Sequence, residues 1–67
     1  MARDEALQDI IARLRQENAT LATELARLTR RPRSTKDIRE IDRIQHRLAM
    51  NNDVIQECEA QLAGGGA

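Results

Sequence analysis

The chain holds no phenylalanine, tyrosine or tryptophan. That removes the large anchors that dominate many cores and interfaces. It also removes the platforms on which single-stranded nucleic acid stacks. There is one cysteine, Cys58, which excludes an internal disulfide framework. There is one proline, Pro32, and the three glycines stand together at 64–66. Helix-breaking residues therefore fall at two places only, near residue 32 and after residue 63. Basic and acidic side chains balance at 11 each, so no global field draws the chain to nucleic acid or to acidic membranes. No apolar run exceeds three residues, as in Ile10-Ile11-Ala12, far below a signal core or a membrane span. The expectation is a soluble, cytoplasmic protein with no membrane partner.

What the chain does have is a heptad pattern. Leu7, Leu14, Leu21 and Leu28 stand seven apart, with Ile11, Asn18 and Leu25 between them. This is the spacing of a coiled-coil seam. Ile41, Leu48, Ile55 and Leu62 repeat it, with Ile44, Asn51 and Cys58 between them. Positions whose numbers sum to 69 pair the two runs layer by layer. Leu28 meets Ile41, Leu25 meets Ile44, Leu21 meets Leu48, and Asn18 meets Asn51. Leu14 then meets Ile55, Ile11 meets Cys58, and Leu7 meets Leu62. The one polar core residue of each run meets the other, as an antiparallel hairpin folding about Ser34 and Thr35 requires.

The fold class expected is thus all-α: one helical-hairpin domain over residues 1–67. Helix 1 is expected at about 4–30, the turn at about 31–35, helix 2 at about 35–62, and a flexible glycine tail at 63–67. Asp4 is placed to cap helix 1, with Met1 to Arg3 frayed. Arg27, Arg30 and Arg31 suit its negative end. Ser34 is placed to cap helix 2, with Asp37 three residues on.

A chain of 67 residues is short for burying an adequate core alone. A second hairpin or a partner helix is therefore expected to cover the seam. The charge distribution favours a head-to-tail copy. Residues 27–47 carry eight basic and three acidic side chains, while residues 1–26 and 48–67 together carry three basic and eight acidic ones. The Asn18/Asn51 layer is the fourth of seven. A two-fold axis through it gives an antiparallel four-helix bundle with amides at its centre, where polar core residues fix register. Ala12, Ala19, Ala22 and Ala26 form a small-residue strip on helix 1, and Met50 and Val54 lie beside the seam of helix 2.

Leucine at every seventh position with one core Asn resembles a leucine zipper of the bZIP class, over Leu7 to Leu28 only. That class implies a basic helix directly before the zipper, and here Arg3 is the sole base in front of it. DNA binding of that kind is therefore not expected. Arg30, Arg31, Arg33 and Lys36 at the turn are the candidate phosphate contacts of an RNA- or DNA-binding hairpin.

Catalytic, metal and cofactor sites are not expected. His46 and Cys58 do not converge, and no nucleophile stands beside a base. Asp9 with Arg13, and Glu40 with Arg43, read as ion pairs on solvated helix faces. Asn18-Ala19-Thr20 matches a glycosylation pattern but places its Asn in the seam. The functional expectation is a non-enzymatic protein-binding module, such as an assembly factor, adaptor or co-chaperone. Its partner is a second copy (a homodimer) or an amphipathic helix of another protein. The alternatives are a nucleic-acid-binding hairpin and a purely structural homo-oligomer.

Overall fold

A computed structural model describes residues 2–31 and 34–64. Two helices pack against each other as a hairpin: α1 over Ala2–Arg30 and α2 over Thr35–Gly64. The chain is rich in Ala, Leu, Glu, Gln and Arg, which lose little side-chain freedom in a helix. The molecule measures 50 × 16 × 14 Å.

The helix ends depart from expectation in two places. Ala2 and Arg3 are already helical, so Asp4 lies in the first turn instead of capping it. There it and Glu5 still face the positive end of the helix dipole. Ala63 and Gly64 continue α2, so these two residues do not belong to the tail expected from residue 63. Residues 65–67 lie outside the described residues. The cap of α2 is as expected: the Asp37 backbone N–H donates to Ser34 Oγ at 3.3 Å, and the Ile38 N–H donates to the Ser34 carbonyl at 3.2 Å. The first bond satisfies one of the four amides that a helix start leaves open, and the second is the first bond of the helix itself.

The core is a single stripe. Ile11, Ile55 and Cys58 are buried together, with Leu7, Leu14 and Leu62 packed against them. Leu28 and Ile44 are buried toward the turn, and Ile44, at 2% exposure, is the most enclosed of the described side chains. Leu7, Leu14, Asn18, Leu21, Leu25, Ile41, Leu48 and Leu62 are only half-buried. The reason is geometric: two helices enclose one line of side chains between them, and whatever flanks that line stays open to water.

Candidate functional site

The seam and the two faces that flank it are the surfaces on which this hairpin can act. At its centre, Asn51 Nδ2 donates to Asn18 Oδ1 at 3.0 Å and to Glu17 Oε1 at 3.2 Å. Asn18 Nδ2 donates in turn to Asn52 Oδ1 at 3.0 Å. Asn51 is 5% exposed, and no described buried side-chain polar atom lacks a partner. The amides expected to meet at the centre of a dimer thus find partners inside one chain, through Glu17 and Asn52.

Glu17 also accepts from Arg47 Nε at 2.7 Å. Its carboxyl is held below the ordinary 4.5, first by the Arg47 hydrogen bond and then by the Asn51 amide. Arg47 is correspondingly pushed up, chiefly by its hydrogen bond to Glu17. On the opposite flank, Arg15 pairs with Glu59 at 2.8 Å. Two ion pairs therefore bracket the seam, one on each side, and both obey the antiparallel pairing.

These pairs define two unlike faces. The first carries Glu17 and Arg47 at its middle. Toward the turn it carries Glu24 and Glu40, each bonded to an arginine of its own helix, Arg27 and Arg43. Each of these carboxyls is lowered by its arginine, and Glu40 opposes the shift at Glu24. Val54 lies one heptad beyond Arg47, and Ile10 one heptad before Glu17, so the exposed Ile10 and Val54 belong to the other end of this face, with the exposed Met50 near its middle.

The second face carries Arg15 and Glu59. Around them lies an open groove lined by Gln8, Ile11, Ala12, Arg15, Glu59, Leu62 and Ala63. Ala22 is one heptad beyond Arg15, so the alanine strip runs along this face, away from Met50 and Val54. Ile38 stands three heptads before Glu59, hence on the same face of α2, and is 60% exposed.

At the turn, Arg30, Arg31 and Lys36 are exposed. Arg30 and Arg31 line a shallow hollow with Arg27, Leu28 and Asp37. Arg33 lies outside the described residues. His46 is exposed, and no described group of three or more His, Cys, Asp or Glu is placed to hold a metal. Thr20 Oγ1 donates to the Gln16 carbonyl at 3.3 Å, tying it to its own helix. The Asp9–Arg13 pair forms at 3.1 Å, and Glu40 pairs with Arg43 as the spacing predicts.

Heptad counting on the core positions alone overlooks Glu17, Arg47, Arg15, Glu59, Asn52 and Ile38. The signal for the ion pairs is present in the sequence. Numbers summing to 64 or 74, five to either side of the core sum, pair Glu17 with Arg47 and Arg15 with Glu59.

No family model matches this chain, and neither a curated protein nor a solved structure matches it. Among the described residues no helix is long and apolar enough to cross a membrane.

Proposed function

We propose that this hairpin is a non-enzymatic module that works by pairing helices, in the class of assembly factors, adaptors and co-chaperones. The observation that carries this reading is the half-exposed seam: eight of its fourteen core-position side chains remain partly open in the lone hairpin. An apolar stripe of that kind is what an amphipathic helix covers, by setting its own apolar positions along the groove. The chain has the ionic and amide contacts to fix a register, and no described group of three or more His, Cys, Asp or Glu converges.

The test is thermal unfolding followed by helicity over a wide range of chain concentration. Association raises the midpoint with concentration, and that rise is the expected result. A fully helical chain whose unfolding is independent of concentration, and whose mass is monomeric, needs no cover for its seam and overturns the reading.

The basic turn favours a second reading, binding to a nucleic-acid backbone through Arg30, Arg31 and Lys36. Affinity for a short duplex or single strand that falls steeply with salt, and falls again in Arg31→Ala, would establish it. Binding that is absent at low salt removes it.

A further inference from the structure

We propose that the partner is a second copy of this chain, docked turn-to-open-end on the Arg15/Glu59 face, with Ile38 of each copy seated in the groove of the other. This rests on the helix-pairing reading and names its partner and geometry.

Three observations converge on this docking, the first selecting the face, the second the orientation and the third the extent. The Arg15/Glu59 face carries a knob and a hole. Of the described large apolar side chains Ile38 is the most exposed, and the groove over Ile11 and Leu62 is an apolar hollow at the open end. The two lie on the same side of α2, separated by about 35 Å at about 1.5 Å per residue from Ile38 to Leu62. A two-fold axis across the hairpin near Met50 and Asn51 carries each onto the other. It sets residue 38 of one copy opposite residues 62–63 of its partner. That level is the Asn18/Asn51 layer to within about one residue.

Charge selects the same orientation. Arg30, Arg31, Lys36 and Arg39 are exposed at the turn, and Asp4, Glu5 and Glu57 are exposed toward the open end. Turn-to-open-end docking brings opposite signs together at both ends, whereas a parallel arrangement stacks like on like. Area agrees as well. One face of 50 by 16 Å offers about 800 Å² in projection, which is what each partner contributes to a standard stable interface, about 800 Å².

On the other face the axis leaves Met50 at the middle and carries Ile10 to the level of Arg27 and Arg43 and Val54 to that of Arg47, so neither meets an apolar seat of the kind Ile38 has.

The experiment uses the full chain. Sedimentation equilibrium is expected to give a dimer at low micromolar concentration, and Ile38→Ala to weaken it at least about tenfold for each of the two equivalent seats. Because Ile38 is exposed and Ala is the better helix former, the helicity of the variant hairpin should be retained. Orientation is read from Ile38→Cys/Ala63→Cys in a Cys58→Ala background under mild oxidation. The expected product links position 38 of one chain to position 63 of the other. A dimer that cross-links 38 to 38 or 63 to 63, or that Ile38→Ala leaves unchanged, overturns this docking while leaving the helix-pairing reading intact. A monomer with concentration-independent unfolding overturns both.

Discussion

Asn51 and Asn18 face each other across the seam at 3.0 Å, and the same Asn51 nitrogen reaches Glu17 at 3.2 Å. The two amides are unequal: Asn51 is buried and Asn18 only half so. Asn18→Leu therefore removes an acceptor from a buried donor, a loss expected to cost about 1–3 kcal/mol. Asn18→Leu/Asn51→Leu removes both polar groups and adds an apolar layer, so its melting midpoint should exceed that of either single variant. The same double variant should lose register, giving more than one set of amide resonances where the parent gives one. A single set would show that the asparagines contribute nothing to register.

Glu17, Glu24 and Glu40 are all held below 4.5 by arginine hydrogen bonds. A carboxyl whose folded value is depressed stabilises the fold above its unfolded value and loses that contribution as pH falls through the folded one. Melting midpoints should thus be flat through neutral pH and decline once the pH drops below about 4.5, the unfolded value. Glu17→Gln should flatten this decline more than Glu24→Gln, since Glu17 bonds across the seam and Glu24 bonds within its own helix. The measurement is a set of melts at fixed ionic strength from neutral to strongly acidic pH.

Ser34 is the cap of α2, through its contact to the Asp37 amide. Ser34→Ala should lower stability by about 1 kcal/mol, and Ser34→Asp should restore most of it. Chemical denaturation of the three chains at one concentration decides this.

Cys58 is buried against Ile11 and Ile55. Its thiol should react with a soluble disulfide reagent far more slowly in the native chain than in denaturant. In the dimer proposed above, the two thiols lie roughly 20 Å apart along the axis at about 1.5 Å per residue. Mild oxidation of the parent chain should leave it free of disulfide-linked dimer, as judged by non-reducing electrophoresis.

The hairpin itself was legible in the sequence because heptad spacing determines both the side and the height of a side chain. Asn18 and Asn51 could be matched without coordinates, and so could the Ser34 cap, whose geometry is local. Burial was less legible. Leu21 and Leu48 have the same pattern value as Ile44, yet they stay half-exposed while Ile44 is enclosed. How much of a layer is covered depends on neighbours along both helices, which a pairing rule does not count. Nor does it foresee a bond from Asn51 to Glu17, because that contact comes from a flank position reaching inward. The start of α1 at Ala2 instead of Asp4 has a similar origin: capping preference is a weak bias against good helix formers such as Ala and Arg.

The constant sum that pairs the layers carries no record of which chain supplies each helix. Two copies whose link between Arg30 and Thr35 is opened without becoming helix could exchange α2 and keep the seam contacts described above, whereas a continuous helix could not, since the 16 residues from Leu25 to Ile41 turn it through about 160° at about 100° per residue and set the two seams on opposite sides. The interior is therefore indifferent to molecularity. The four residues between the helices make the choice, with Pro32 among them opposing a continuous helix. Substitutions there act on the connectivity of the assembly and leave its core chemistry as it is.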